Sequence, residues 1–195
     1  MADEESLLVP QDDYLKSGIH IGTKFKNEYM APFIYKMRPD GLSVLNLQLI
    51  DKRLRSLINL FSKYQPSDIL IVSRRENSWK AIKSFGKATG IRVFAGRYPP
   101  GILTNPQLKT FIEAKLLLVT DSWPDRNAVQ DALTIGIPVV ALCDTNNTAN
   151  DIDFVMPCNN KGKKSLGLLF FLLAKHFNEK KGVGMELTLE DFTDE

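Results

Sequence analysis

The chain has 195 residues, 44% of them hydrophobic, and a formal net charge of +2 at pH 7. This length suits a single domain that can bury a real core. The longest apolar run, residues 166–174, is broken only by one glycine and is too short to span a bilayer. No segment is typical of a signal peptide, and the two cysteines suggest no disulfide framework. We therefore expect a cytoplasmic protein without membrane contacts.

The small net charge hides an uneven distribution along the chain. Residues 1–13 and residues 183–195 each contain five Asp or Glu and no Lys or Arg. Residues 14–182 contain all 25 Lys and Arg against 13 Asp and Glu, a net charge of +12. We therefore expect an acidic N-terminal tail (1–13), a single basic domain (14–182) and an acidic C-terminal tail (183–195). A basic body suits a polyanionic partner, although the same lysines would also form an ordinary solvated surface.

The first third of the chain mixes weak and strong structural signals. Residues 12–17 are expected to form one helical turn. Residues 18–38 follow with glycines, bases and aromatics but little apolar periodicity. Residues 42–47 are predicted to form a strand. Asp51 is predicted to cap the next helix, because apolar residues follow at the i, i+3, i+4, i+7 spacing, namely Leu54, Leu57, Ile58 and Phe61.

From residue 68 onward, strand and helix patterns alternate. The predicted strands cover residues 68–73, 91–95, 116–120, 138–143 and 153–156. The predicted helices cover residues 76–89, 124–135 and 165–178, and residues 96–106 form a long loop. Right-handed crossovers between such strands give one parallel sheet with helices on both faces. The expected fold is therefore a three-layer α/β/α sandwich with a mostly parallel, Rossmann- or flavodoxin-like sheet.

A loop at residues 157–165 joins the last predicted strand to the last helix and carries three lysines and two asparagines. Free backbone N–H groups and the positive end of the helix dipole make such a helix start a phosphate site. The loop departs from a nucleotide-binding P-loop, because Pro157 stands where the first glycine belongs and Lys164 where the Ser or Thr belongs. Contact with a polyanion is the favoured interpretation, and a merely solvated loop that turns at Gly162 is the alternative.

Basic side chains concentrate near the predicted strand ends and along one helix. Arg forks onto phosphates and stacks on bases, and aromatic side chains stack on unpaired bases. An exposed helix face is the alternative for the lysines between residues 80 and 87. For Trp79, burial in the core is favoured over a platform for base stacking. The candidate polyanion-binding residues are Lys24, Lys26, Lys36, Arg38, Arg74, Arg75, Lys80, Lys83, Arg97, Lys161, Lys163 and Lys164.

An enzyme would have to use the same edge of the sheet, since ligands bind at the carboxyl ends of parallel strands. Asp121 and Asp144 lie beyond neighbouring strands and could hold Mg²⁺, but short polar residues also end strands and cap helices. His20 has no acidic partner nearby in the sequence. The chain contains no G-x-G-x-x-G, no G-x-S-x-G, and no CxxC or HxxH spacing. We therefore predict no catalytic residue, no metal, no cofactor and no small-molecule substrate.

Several motifs, in the same order along the chain, resemble one family of ribosomal proteins. They are GIHIG at residues 18–22, FIY at 33–35, VLNL at 44–47, PGILTNP at 100–106, IPVVALCDT at 137–145 and PCNNKG at 157–162. Together they resemble the second small-subunit ribosomal protein family, and the match covers about residues 12–182. The last motif is typical of the archaeal and eukaryotic branch, which includes ribosomal protein SA, the laminin-receptor precursor.

The resemblance implies an α/β/α sandwich at the head–body junction of the small ribosomal subunit. It implies contacts with ribosomal RNA and with neighbouring ribosomal proteins, and no catalysis. The chain lacks room for the helical hairpin of the bacterial branch, and it lacks the long C-terminal extension of the animal proteins, so a laminin-binding role does not carry over. The family often has an Arg in the loop after the strand that ends at Thr120, where this chain reads DSWPD, so no RNA contact is assigned to residues 121–125.

We therefore favour a structural constituent of the small ribosomal subunit. A Rossmann-like nucleotide-dependent enzyme is the main alternative, and a free regulatory binding module is another.

Overall fold

The structure is a computed structural model, and it describes residues 7–184 and 187–193. Its helices are α1 (Gln11–Ser17), α2 (Leu47–Ser62), α3 (Trp79–Thr89), α4 (Arg126–Ile135) and α5 (Lys163–Lys181). Its strands are β1 (Ile34–Met37), β2 (Ser43–Leu45), β3 (Ile69–Ser73), β4 (Arg92–Ala95), β5 (Leu116–Val119), β6 (Val139–Cys143) and β7 (Phe154–Pro157). Short 3₁₀ turns lie at Glu28–Phe33, Pro66–Asp68, Glu76–Ser78 and Leu189–Asp191.

The centre of the fold is a parallel sheet in the order β4-β3-β5-β6-β7. Every residue of β3, β5 and β6 is buried, as expected for strands that are covered on both faces. Helices α2, α3 and α5 pack on one face, beside Ile69, Ile71, Leu116 and Leu118. Helix α4 and the irregular segment 98–114 pack on the other face. The predicted three-layer α/β sandwich is therefore confirmed.

The strand order places a change of direction between β3 and β5. From β3 the chain moves outward to β4 at one edge, and then returns to β5 on the other side of β3 before continuing to β6 and β7. This is the flavodoxin-like order, and its ligand crevice lies outside the carboxyl ends of the two strands at that change. The crevice position is therefore next to Ser73 at the end of β3 and Thr120 just after β5.

The sequence-based assignment of Asp51 as a helix cap was wrong. The side chain of Asn46 caps α2 instead, accepting the N–H of Gln48 at 3.0 Å. Asp51 lies one turn into α2 and is buried, where its carboxylate accepts the hydroxyl of Tyr14 at 2.8 Å and binds Arg55 at 2.7 Å. A carboxylate can serve a cap or a buried ion pair equally well, so the sequence pattern could not separate the two roles.

A small antiparallel hairpin precedes the main sheet and was only half predicted. Strand β2 was expected at residues 42–47, whereas β1 was not predicted. Ile34 pairs with Leu45, and Met37 with Ser43. Three of the four residues of β1 are exposed, so the strand shows no apolar alternation. Its pairing with β2, and not its own hydrophobic pattern, makes it a strand.

The acidic C-terminal segment packs against the body. Phe192 is buried, the hydroxyl of Ser84 donates to the carbonyl of Asp191, and the ammonium of Lys80 donates to the carbonyl of Thr193. A Cβ atom added at Gly167 in α5 would collide with the side chain of Thr193. The absence of a side chain at Gly167 therefore lets this segment lie directly on α5. Its acidic composition did not predict these contacts.

We expect Gly167→Ala to displace the segment at residues 187–193 and to lower the free energy of unfolding by about 1–3 kcal/mol, as overpacking does. Urea denaturation measures the change. Gly184→Ala is the matched control, because no heavy atom lies within 4 Å of the added methyl group, and we expect it to shift stability by less than about 0.5 kcal/mol. Equal stability of the two variants would contradict the observed packing.

Candidate nucleic-acid interface at the carboxyl edge of the sheet

A buried carboxylate at the end of β5 organises one half of this edge. Asp121 is 1% exposed, and its Oδ2 accepts Arg75 Nε at 2.6 Å. Its Oδ1 accepts Asn147 Nδ2 at 2.8 Å and the backbone N–H of Trp123 at 3.1 Å. A buried charge is tolerated when it is paired and hydrogen-bonded. Asp121 therefore joins the loops that follow β3, β5 and β6.

A second buried carboxylate, at the end of β6, organises the other half. Asp144 Oδ2 accepts the ammonium of Lys161 at 3.0 Å. Its Oδ1 accepts the N–H of Thr145 at 2.6 Å. Asn160 lies between the two halves, donating to Asn147 Oδ1 at 3.1 Å and to the carbonyl of Leu142 at 3.0 Å. The two acids that sequence analysis considered for Mg²⁺ are thus each paired with a cation.

An N-terminal segment lies across the same edge. The hydroxyl of Thr145 donates to the carbonyl of Phe25 at 3.0 Å and accepts the N–H of Thr23 at 2.9 Å. The carbonyl of Thr145 accepts the N–H of Asn27 at 2.7 Å. A Cβ atom at Gly22 would lie 2.5 Å from the Thr145 methyl group, so this close approach requires glycine. The GIHIG and CDT motifs therefore meet in space.

The position of the expected ligand crevice is filled by small buried polar groups. The hydroxyl of Ser73 forms hydrogen bonds with those of Ser78 and Thr120. Beside them, Asp125 Oδ1 accepts the N–H of Arg74 at 3.0 Å, while Asp125 Oδ2 is buried without a partner among the described residues. Burial raises the pKa of Asp125 to about 7, and the nearby Asp121 carboxylate adds to the rise.

The loop before α5 satisfies two of its backbone N–H groups with one of its own side chains. Asn159 Oδ1 accepts the N–H groups of Lys161 and Gly162, both at 3.1 Å, and the helix begins at Lys163 instead of Ser165. These two N–H groups are therefore not open to a phosphate. Lys161 was predicted to contact RNA, but its ammonium already binds Asp144 Oδ2 and Asn146 Oδ1. These groups would compete with a phosphate for it.

The structure separates the predicted basic residues into two sets. Arg75 and Lys161 are held by buried carboxylates, Arg38 pairs with Asp40 at 3.2 Å, and Lys80 binds the C-terminal segment. The remaining candidates are exposed: Lys24, Lys26, Lys36, Arg74, Lys83, Arg97, Lys163 and Lys164. Of these, the residues next to the carboxyl ends of the strands are Lys24, Lys26, Arg74, Arg97, Lys163 and Lys164. Whether they contact RNA stays a prediction.

Sequence analysis missed two residues that the fold brings to this edge. Trp123 is 80% exposed, and Arg126 begins α4. With Arg74, Arg75, Pro124 and Asn127 they line a depression of about 560 Å³. Residues 121–125 lack the arginine that the family often has in this loop, so no RNA contact was predicted for them. The available signal was a tryptophan in a polar loop directly after a buried strand.

The two cysteine thiols are buried, and the described residues offer no cluster of metal ligands. Burial raises the pKa of Cys143 to about 12 and that of Cys158 well above its usual value, so both thiols stay protonated at neutral pH. Within residues 7–184 and 187–193, no cluster of three or more His, Cys, Asp or Glu could hold a metal ion. The same stretches contain no helix with the length and apolar character needed to cross a membrane.

Comparison with known proteins identifies the family. A family profile described as ribosomal protein S2 matches residues 14–114 and 109–179. A small ribosomal subunit protein uS2 from Nanoarchaeum equitans is 48% identical over 176 residues, which is 90% of this chain and 88% of that protein. Proteins of the same description from Methanococcus maripaludis (strain C5) and Thermoplasma volcanium are 47% and 39% identical, over 92% and 97% of this chain and 82% and 98% of theirs.

The class that these findings define is a structural ribosomal protein with an α/β domain. The chain belongs to the ribosomal protein S2 family of the small subunit. The resemblance stated from the motifs is therefore confirmed. The family is a structural component of the ribosome that takes part in translation, so the prediction that this chain is not an enzyme is confirmed as well.

We expect Asp125→Asn to flatten the pH dependence of stability. A folded-state pKa above the unfolded value means that the folded protein binds more protons, so the contribution of Asp125 to the free energy of unfolding falls as the pH rises from about 4 to about 7. The variant should be more stable than wild type at pH 8, by on the order of 1–4 kcal/mol. Urea denaturation at pH 5 and pH 8 measures this, and an unchanged pH slope would contradict it.

We expect Lys161→Ala and Lys164→Ala to differ in stability. Removing Lys161 leaves the buried Asp144 carboxylate without its cation, which should cost about 1–3 kcal/mol, less than for a fully buried pair because Lys161 is one-third exposed. Lys164 is exposed, so its loss should cost less than about 0.5 kcal/mol. Thermal unfolding of the two variants and the wild-type protein, run in parallel, measures the difference. Equal melting temperatures of the two variants would contradict the role of Lys161.

Proposed function

We propose that this protein binds ribosomal RNA and neighbouring ribosomal proteins at the head–body junction of the small subunit, during assembly and translation in the cytoplasm. Residues 14–182 act as a single α/β RNA-binding domain in this proposal. The observation that supports it best is the separation of charges at the carboxyl edge. The carboxylates of Asp121 and Asp144 are buried and paired with cations, whereas Lys24, Lys26 and Arg74 face solvent.

This separation favours a polyanion over a basic or neutral partner. Asp121 and Asp144 are neutralised by Arg75 and Lys161 inside the network, so they oppose an approaching phosphate only weakly. The lysines and arginines outside the network keep their positive charge in water. Contacts between such residues and phosphates supply most of the affinity of nucleic-acid binding.

A nucleotide-dependent enzyme is less well supported than this ribosomal role. The hydroxyls of Ser73, Ser78 and Thr120 fill the crevice position. The backbone N–H groups of Lys161 and Gly162 are bound by Asn159. These are the kinds of group that cradle a phosphate chain in nucleotide-binding folds, and here they already have partners within the protein.

We also propose that the acidic end segments, 1–13 and 183–195, stay off the RNA. Part of each segment lies outside the described residues. The described part of the first segment reaches the body through the N–H of Leu8, which donates to Asp51 at 2.9 Å. The acidic side chains Asp12, Asp13, Glu190 and Asp191 are exposed. Phosphate would repel them, and a basic face of a neighbouring protein is the better partner.

We expect RNA binding to depend strongly on salt. About six phosphate contacts would give a slope of log K against log salt of roughly −4 to −5. A triple variant, Lys24→Ala, Lys26→Ala and Arg74→Ala, should reduce the magnitude of that slope by roughly three. Filter binding of a small-subunit RNA fragment between low and moderate salt measures both slopes.

The matched control replaces three exposed lysines away from this edge, Lys63, Lys109 and Lys175, and should leave the slope closer to wild type. A flat salt dependence of the wild-type protein would overturn the RNA-binding proposal. Sucrose-gradient fractionation of cell extract tests the assembly claim directly: the protein should sediment with small subunits, and its presence only in the free fractions would favour a regulatory module instead.

A further inference from the structure

Trp123 is held by its backbone and leaves its ring in water. Its N–H donates to the buried Asp121 carboxylate at 3.1 Å, which fixes the loop directly after β5. The side chain nevertheless remains 80% exposed. A large aromatic side chain of this kind usually gains its energy by burial. Its exposure at a fixed position leaves the ring available to a partner.

Trp123 lines two depressions. The first, of about 560 Å³, is lined by Trp123 together with Arg74, Arg75 and Arg126. The second, of about 470 Å³, also contains Trp123 and Arg126 and is lined further by polar residues of the loop after β6, among them Asn146, Asn147 and the exposed acid Asp151. Arg75 is neutralised by Asp121, whereas Arg74 and Arg126 are exposed. A flat aromatic ring beside two exposed guanidinium groups suits a planar, negatively charged ligand.

A second exposed aromatic lies on the neighbouring segment. Phe25 is 79% exposed and stands between Lys24 and Lys26. Its backbone is fixed by the hydroxyl of Thr145, which belongs to the same loop that borders Trp123. Aromatic residues with neighbouring lysines or arginines therefore adjoin the loop after β6, one at Thr145 and the other at residues 146–148.

The place of Trp123 in the fold adds an independent argument. It follows β5, next to the change of strand direction between β3 and β5. Ligands of flavodoxin-like sheets bind outside the strand ends at this point. In this chain the interior of the crevice is filled, so the position offers an outer surface and not a cleft.

We propose that Trp123, with Phe25 as a second platform, stacks unpaired bases of an RNA strand whose phosphates contact Arg74, Arg126, Lys24 and Lys26. This rests on the proposed ribosomal function and specifies the class of RNA involved. Bases in a duplex are already stacked on each other, whereas unpaired bases can stack on aromatic side chains. The flanking positive charges favour a nucleic acid over an apolar protein surface.

The test uses the intrinsic fluorescence of Trp123 in a Trp79→Phe background, where it is the only tryptophan. The probes are a single-stranded RNA 12-mer, the same sequence as a duplex, inorganic polyphosphate and AMP. We expect the single strand to quench Trp123 strongly, and polyphosphate to bind without quenching. In the otherwise unchanged chain, Trp123→Ala should weaken single-strand binding about 5- to 150-fold and leave the salt slope unchanged, because no phosphate contact is lost.

Tyr35→Ala is the matched control, since Tyr35 is likewise exposed but lies on β1 and lines neither depression beside Trp123. It should leave single-strand binding within about twofold. Circular dichroism melting of each variant confirms that it is folded. Because Trp123 is exposed, its replacement should not change the melting temperature.

Several results would overturn the stacking proposal. One is unchanged single-strand binding by Trp123→Ala, and another is equal quenching by duplex and single strand. Saturable micromolar binding of AMP that Trp123→Ala abolishes would replace the RNA with a free nucleotide. Normal RNA binding combined with failed incorporation into small subunits would assign Trp123 to a protein contact. If the salt dependence of RNA binding persists in these cases, the proposed ribosomal function stands without the stacking; if the wild-type protein binds no RNA, both proposals fail.

Discussion

Two buried carboxylates, Asp121 and Asp144, determine how the carboxyl edge of the sheet is built. Each follows an apolar strand and is about 1% exposed, so each would be costly without partners. The partners come from other loops: Arg75 from the loop after β3, Asn147 from the loop after β6 and Lys161 from the loop before α5. Removing one partner from a buried pair is far more harmful than removing an exposed charge. The positions of the loops after β3, β5 and β6, and of the loop before α5, therefore depend on these two acids.

The same network explains why a sheet with flavodoxin-like strand order can serve a structural role. In nucleotide-binding relatives of this architecture, the strand ends keep backbone donors open for a phosphate. Here the equivalent donors are bound by Asn159 and Asp125, and the N-terminal segment crosses the edge at Thr145. The crevice position beside Ser73 and Thr120 is occupied by their hydrogen-bonded hydroxyl groups. What remains is a rigid outer face with exposed cations, which suits a large polyanion better than a small molecule.

Sequence patterns predicted the helices and strands whose burial is periodic or continuous. They failed where strand pairing or contacts between distant residues determine the structure. Strands β3, β5 and β6 and helix α3 were predicted within a few residues, because their apolar positions follow from covered faces. The exposed strand β1 carries no such pattern. Asp51 looked like a cap because its buried partner, Tyr14, lies 37 residues away in the sequence. The packing of Phe192 against α5 was hidden for the same reason, since an acidic composition conceals one buried aromatic residue.

The residues of the candidate site were harder to predict from the sequence than the fold. Whether a basic residue belongs to the site depends on its exposure and on its ion-pair partner. Twelve basic residues could be named from the sequence, yet nothing local distinguishes Lys161, bound to Asp144, from Lys164, which faces solvent. The two tryptophans pose the same problem. Trp79 begins α3 and is half-buried with its ring beside Lys83, whereas Trp123 stands in water beside two exposed arginines. The difference in exposure of the two tryptophans arises from the parallel sheet. The loop after β5 lies at the carboxyl edge, and the backbone N–H of Trp123 donates to Asp121 there. Only the assembled strand order reveals that a residue next to a buried carboxylate presents its aromatic ring to the outside.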